Sequence, residues 1–187
     1  MYRKVLVSTD LSSYAHKVQD CLAVIPGLEE IVLLHILDAS NPKDLEAKGW
    51  SWDSLIDEAR TRLEEQADHL SNQAGKKLEI KPILKIIIEP MSGADGVNLQ
   101  MPKTGSGVDL VDGGSVGQAI SKAAAEENAS LICMGAQGKG LMESMLLGSV
   151  STEVLRQGDV DLLIIRHKIL PWRKKRNAGE SLPKYLL

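Results

Sequence analysis

The segment 131–155, LICMGAQGKGLMESMLLGSVSTEVL, changes character three times. Residues 131–134 form a short apolar run that breaks at Gly135. Gly138 and Gly140 follow, and then an unusually apolar stretch over 141–147. Gly148-Ser149 then opens a segment with helical character over 149–157. A strand, a glycine-rich turn and a helix in this order make up most of a β-α-β unit. The fold follows if the rest of the chain repeats that alternation.

It does. Before this segment, KVLVSTD predicts a first strand over 3–9, and Ser12 or Ser13 can cap a helix with Ala15, Val18, Leu22 and Ile25 on one face. EIVLLHILD is apolar at consecutive positions over 30–37, as a strand covered on both faces should be. A long helix is expected over 53–74, with Ile56, Ala59, Leu63, Ala67, Leu70 and Ala74 inward and Gly75 at its C-terminal cap. LEIKPILKIII is a third strand over 78–88. Ser115 caps a further helix with Val116, Ala119, Ile120 and Ala123 inward, SLICM is the fourth strand, and VDLLIIR over 160–166 is the fifth. The expected fold is α/β: a doubly wound, five-stranded parallel sheet with helices on both faces, Rossmann-like. In such sheets ligands bind beyond the carboxyl ends of strands where the winding reverses. That directs attention to Asp10, after strand one, and Gly135, at the end of strand four.

One region resists. Residues 90–114 are rich in Gly, Pro, Asp and Ser, and about 25 structureless residues are uncommon inside a compact domain. They read as an insertion, either a loop or a short β-hairpin with VDLV as its return strand. The expected organisation is a domain over 1–168 carrying that insertion, followed by a basic extension over 169–187.

Composition narrows the functions. Hydrophobic residues make up 43% and charged residues 25%, the balance of a soluble globular chain. A net charge of −3 and 3% aromatics give neither an electrostatic footprint nor stacking platforms for nucleic acid. No run approaches the roughly 18 apolar residues of a membrane helix, and the N-terminus reaches charge too early for a signal peptide. Cys21 and Cys133 lie in apolar stretches and read as buried thiols in a reducing compartment. The expected location is the cytoplasm, with no membrane or nucleic-acid partner.

Two familiar phosphate signatures fail. The P-loop spacing between Gly135 and Gly140 is followed by Leu141 where Lys is needed. The dinucleotide pattern starting at Gly138 and Gly140 meets Glu143 in place of its third glycine. Another arrangement is intact. Gly135 and Gly138 directly follow a strand, where absent Cβ atoms let backbone N–H groups approach an anion. Gly148, Ser149, Val150 and Ser151 open a helix, whose start offers unpaired N–H groups and a positive dipole end. Hydroxyls at Ser149, Ser151 and Thr152 add donors.

The spacing Gly135-x2-Gly138-x9-Gly148-Ser149 resembles the nucleotide-binding motif of the universal stress protein family, Gly-x2-Gly-x9-Gly-Ser/Thr. KVLVSTDLS resembles that family's first strand and acidic turn, VLLHILD its second strand and DLLIIR its last. The resemblance covers 1–168 apart from the insertion. It implies an adenine nucleotide alpha hydrolase-like fold and an ATP or other adenine-nucleotide ligand. By position it implies that Asp10 meets the adenine edge with Ser8 and Thr9 lining the turn. It places Ile36 on the base and Met134, Gly135 and Ala136 beside the adenosine. Gly138, Gly148, Ser149, Val150 and Ser151 would surround ribose and phosphates. A divalent ion, Mg2+ or Mn2+, would be held through the phosphates rather than by a protein cluster. The family pairs subunits through the last strand, which implies a homodimer over 160–166. The chain departs from the pattern in the insertion, in the QGDVD segment, which lacks a proline, and in the extension.

Catalytic residues are scarce. No Ser/His/Asp grouping falls at the cleft, and only Lys139 lies in the loop, whereas phosphoryl transfer depends on charge clamps and metal positioning. The economical reading is a nucleotide-binding regulatory module in stress response, with slow hydrolysis or none. The alternatives are a slow ATP hydrolase or phosphotransferase, and an interaction module using the insertion and the RKKR tail. His35, inside an apolar strand, reads as a core histidine.

Overall fold

The computed structural model describes residues 1–12, 18, 22, 25–38, 51–73, 78–88, 108–136 and 147–166. Its elements are β1 (Lys4–Thr9), β2 (Glu30–Asp38), α1 (Trp52–Gln73), β3 (Glu79–Ile88), β4 (Val108–Asp112), α2 (Val116–Glu126), β5 (Leu131–Gly135), α3 (Ser149–Gln157) and β6 (Asp161–Ile165). Val18 and Leu22 are helical and buried, Ile25 is partly buried against the same core, and residues 13–17, 19–21, 23 and 24 of the expected first helix lie outside the described residues.

The strands form one sheet in the order β4-β3-β2-β1-β5-β6, and every pairing is parallel. Consecutive apolar residues in β1 and β2 alternate between two cores, because successive strand side chains point to opposite faces. Val5, Val7, Leu33, Ile86 and Cys133 pack with Ile56, Leu63 and Leu70 of α1 on one face. Leu6, Val32, Leu34, Ile132 and Met134 pack with Ile120 and Ala123 of α2 and Val154 of α3 on the other. The doubly wound arrangement read from the sequence is therefore present. Cys133 is buried and in no disulfide among the described residues, and Cys21 lies outside them.

Two expectations are corrected. Among the described residues the sheet has six strands, not five, and VDLV is not a hairpin return strand on β3. A hairpin return must run antiparallel, whereas β4 runs parallel to β3 with Leu84 opposite Val108 and Ile86 opposite Leu110. Val108 and Leu110 join the α1-side core, which is why this short run pairs at the sheet edge. The other residues of the expected insertion up to 107, and the extension over 169–187, lie outside the described residues. Among the described residues no helix is long and apolar enough to cross a membrane.

Ser115 caps α2 as its sequence position suggested. Its hydroxyl accepts from the Gln118 N–H at 3.2 Å, and the Gln118 Oε1 accepts from the Ser115 N–H at 3.1 Å. This reciprocal box satisfies two helix-start donors. The Ser115 hydroxyl donates to Glu153 Oε1 of α3, so a carboxylate already faces this helix start. Ahead of this cap the chain turns through Gly113 and Gly114, at φ 67° and 89°.

The far end of α2 is fastened to the amino ends of the strands. Glu127 accepts from Lys81 at 2.8 Å and from Lys4 at 3.2 Å, and Lys4 also reaches Glu30 at 2.8 Å. The Lys81 ammonium, with Lys4, holds the Glu127 carboxyl below its usual range, although partial burial pushes it the other way. A carboxylate with a depressed folded pKa stabilises above its ordinary titration range and loses that contribution as pH falls through the depressed value. Glu127→Gln is expected to cost about 1 kcal/mol at neutral pH, with the deficit shrinking as pH drops below the unfolded carboxylate range. Urea denaturation of parent and variant at pH 7, 4 and 3 checks this. An equal deficit at all three values would contradict it.

Candidate functional site

β1 and β5 are neighbours in space although far apart in sequence, with Val7 opposite Cys133. To one side of this pair the chain winds through β2, β3 and β4, and to the other through β6. The winding therefore reverses between β1 and β5, and the crevice beyond their carboxyl ends is where open α/β sheets take ligands. Three segments meet there: the turn after β1, the end of β5 and the start of α3.

The turn after β1 is tightly held. Thr9 Oγ1 accepts from the Leu11 N–H at 3.1 Å, and Asp10 Oδ1 accepts from the Ser12 N–H at 3.0 Å. Leu11 adopts φ 57°, a left-handed conformation that costs a side-chain-bearing residue roughly 1–2 kcal/mol. Such strain persists only where surrounding bonds over-determine it. The Thr9 carbonyl accepts from His35 Nδ1 at 2.8 Å, so that nitrogen carries the proton. His35 is thus the satisfied core histidine read from the sequence. The Thr9 hydroxyl, itself buried, donates to Gln66 Oε1 of α1 at 2.9 Å. The second carboxylate oxygen, Asp10 Oδ2, is buried and, among the described residues, accepts no hydrogen bond. An unpartnered buried acceptor costs about 1–3 kcal/mol.

The end of β5 and the start of α3 touch directly. The Gly148 N–H donates to the Ala136 carbonyl at 2.8 Å, and the Ala136 N–H donates to the Ile165 carbonyl of β6 at 2.9 Å. Ser151 is 2% exposed, and its hydroxyl lies 3.2 Å from the Ala136 carbonyl and 3.1 Å from the Gly148 carbonyl. Thr152 donates to the Gly148 carbonyl at 2.8 Å. These two hydroxyls therefore tie the helix start to the strand end instead of pointing into the crevice. Gly148 is the N-cap, in extended conformation at φ −77° and ψ 167°, and no side chain caps the helix. The amides of Ser149 and Val150 precede the first intrahelical bond, Thr152 N–H to the Gly148 carbonyl. They are left available to an anion, with the helix dipole behind them.

Ser8 alternates with Leu6 and so belongs to the α2/α3 side of the sheet. Ile36 and Val150 are half-buried against the core cluster on that same side, which Met134 also joins. The structure thus brings Asp10, Ile36, Met134, Gly135, Ala136, Gly148, Ser149 and Val150 to one end of the sheet. Thr9 and Ser151 support this arrangement from beneath through their buried hydroxyls. Gly138 and Lys139 lie outside the described residues, as does the apolar spacer up to 146. Among the described residues no group of three or more His, Cys, Asp or Glu side chains is placed to hold a metal ion.

Sequence reading missed Gln66. Ala67 packs partly buried against the core as expected, but the buried stripe runs Ile56, Ala59, Leu63, Gln66, Leu70, in alternating steps of three and four. A glutamine in an apolar stripe was the available signal, because a buried amide needs a partner.

The family model described as the universal stress protein family matches residues 1–166. Universal stress protein MJ0577 of Methanocaldococcus jannaschii is 26% identical over 171 residues, covering 90% of this chain and 97% of the relative. The solved structure of MJ0577 superposes with a TM-score of 0.61 over 90% of this chain and 98% of its own. The universal stress protein UspA from Lactobacillus plantarum superposes with a TM-score of 0.62 at 16% identity, over 88% and 98% of the two chains. A universal stress protein in complex with cAMP superposes with a TM-score of 0.51 at 19% identity, over 88% and 97% of the two chains.

Proposed function

Because the chain belongs to the universal stress protein family, we propose that it is a regulatory module that binds ATP or a related adenine nucleotide. The observation that carries this reading is the buried Asp10 Oδ2, without a donor among the described residues, at the point where the winding reverses. Adenine supplies the missing donor through its 6-amino group. Ile36 and Met134 offer an apolar wall for the base, and the uncapped amides of Ser149 and Val150 receive the phosphates. Gly138, by its place in the motif, lets the loop backbone approach the same phosphates. The cAMP held by one relative shows an adenine nucleotide within the family and supports the choice of base. A divalent ion, Mg2+ or Mn2+, is coordinated by the phosphates and neutralises their charge. No side chain is assigned a catalytic role, so nucleotide occupancy, rather than turnover, is the signal.

That signal is read through assembly. β6 is an edge strand with Leu163 37% exposed, and Leu155 on the adjoining α3 is 53% exposed. An apolar sheet edge favours pairing with a second copy. The homodimer formed there places a partner next to the helix that holds the phosphates.

Calorimetric titration with ATP and GTP tests the reading. ATP is expected to bind at least tenfold more tightly, because the 6-oxo group of guanine turns an acceptor toward the Asp10 carboxylate. Light scattering is expected to give twice the 20.3 kDa chain mass. No heat at millimolar ATP would overturn the nucleotide assignment, and a monomer at micromolar concentration would overturn the dimer.

A further inference from the structure

We propose that Gln66 is a positioning residue of the nucleotide site: it sets the Thr9 hydroxyl, and through it the turn that presents Asp10 to the base. This rests on the adenine-nucleotide reading above and extends it to a residue on a different helix.

Gln66 occupies a core position of α1, 5% exposed, between Leu63 and Leu70. Leucine there would bury apolar surface at no polar cost, whereas a buried amide is destabilising unless bonded. Its carbonyl oxygen meets the Thr9 hydroxyl at 2.9 Å. A threonine hydroxyl has one proton and two lone pairs. With Gln66 Oε1 taking the proton, a lone pair faces the Leu11 N–H, which it accepts at 3.1 Å. That bond is one of the restraints keeping Leu11 at φ 57°. The neighbouring restraint, Ser12 N–H to Asp10 Oδ1 at 3.0 Å, orients the carboxylate and leaves Oδ2 for the ligand. His35 holds the Thr9 carbonyl from β2, so Thr9 is fixed by its side chain from α1 and by its backbone from the sheet. Without the Gln66 acceptor the hydroxyl proton turns elsewhere, the Leu11 bond is lost in part of the population, and the Asp10 carboxylate is no longer held in one orientation.

The consequence is selective. Base recognition passes through Asp10, whereas phosphate recognition passes through α3, which Gln66 does not touch. Gln66→Met keeps the volume and removes the acceptor. It is expected to weaken ATP binding about tenfold while leaving the affinity for inorganic tripolyphosphate within twofold of the parent. A purely structural defect would lower both together. In the ligand-free protein the Leu11 backbone amide resonance is expected to shift, reporting the loosened turn without any nucleotide. Thr9→Val provides an independent route that leaves α1 untouched. It should reproduce the selective loss, and adding Gln66→Met to it should cost less than a further twofold, as expected for two residues acting through one bond. Gln66→Met binding ATP like the parent, parallel losses of ATP and tripolyphosphate, or additive losses in the double variant would each overturn the inference. A parent chain with no affinity for ATP would instead overturn the nucleotide reading itself, and this inference with it.

Discussion

Asp10→Ala is expected to weaken ATP binding by about ten- to a hundredfold while leaving the ligand-free protein about as stable as the parent. The two effects separate because Asp10 has two different oxygens. Oδ1 accepts from the Ser12 N–H, and Oδ2 is buried without a donor among the described residues. Removing the carboxylate loses the first bond, worth about 1 kcal/mol, and relieves the burial of an unsatisfied acceptor of similar magnitude. The charge-assisted bond to the adenine amino group has no such offset, and its loss is worth about 1.5–3 kcal/mol. Thermal unfolding with and without nucleotide displays both effects. Without ATP the midpoints should agree within about 2 °C. With ATP at a hundred times the parent Kd, the parent gains about 2.7 kcal/mol and the variant about 0.4–1.4 kcal/mol. A variant that is destabilised without ligand, yet gains as much from ATP as the parent, would make Asp10 a turn residue only.

The second large effect is expected at Gly117, on the surface where α2 meets α3. A Cβ at this position would lie 2.6 Å from Glu153 Oε2 and 2.8 Å from both Glu153 Cβ and Cδ. The carboxylate can swing away, but the Glu153 Cβ is fixed to the α3 backbone, so relief requires moving α3. Gly117→Val is therefore expected to cost about 2 kcal/mol, within the usual range for overpacking, and to lower the melting temperature by about 5 °C. Because α3 also presents the Ser149 and Val150 amides, ATP affinity should fall several-fold. Glu153→Ala in the same chain removes the carboxylate but keeps its Cβ, so it should restore only part of the loss. Full restoration would show that the carboxylate, not helix separation, sets the fit. An unchanged melting temperature in Gly117→Val would refute the close approach itself.

Most of the fold was legible because it rests on local pattern. The unbroken apolar run from Ile31 to Leu34 announces a strand buried on both faces, and all four residues are fully buried. Ser115 ahead of a small-residue helix announces an N-cap, and Gly148-Ser149 announces another helix start. What escaped depends on contacts that no spacing encodes. Val108–Asp112 carries two aspartates in a glycine-rich region, and only the neighbouring β3 decides that it pairs in parallel. Gln66 and Thr9 are 57 positions apart, so their bond exists only after α1 has packed on β1. The placement of Asp10 at a strand end followed from topology, but its free oxygen became visible only with the turn in three dimensions. The roles of Ser151 and Thr152 likewise differ from what their hydroxyls suggested, since both bond to backbone carbonyls at the helix start.

The bond between Gly148 and Ala136 has a consequence for how the intervening chain can vary. In a free loop the entropy of bringing the ends together depends on length, each doubling costing about 0.6 kcal/mol. Here the ends are joined at 2.8 Å, and the Ser151 hydroxyl reinforces the junction. The junction is thus secured by bonds between the strand end and α3. Substitutions within residues 137–146 therefore leave the junction between β5 and α3 in place.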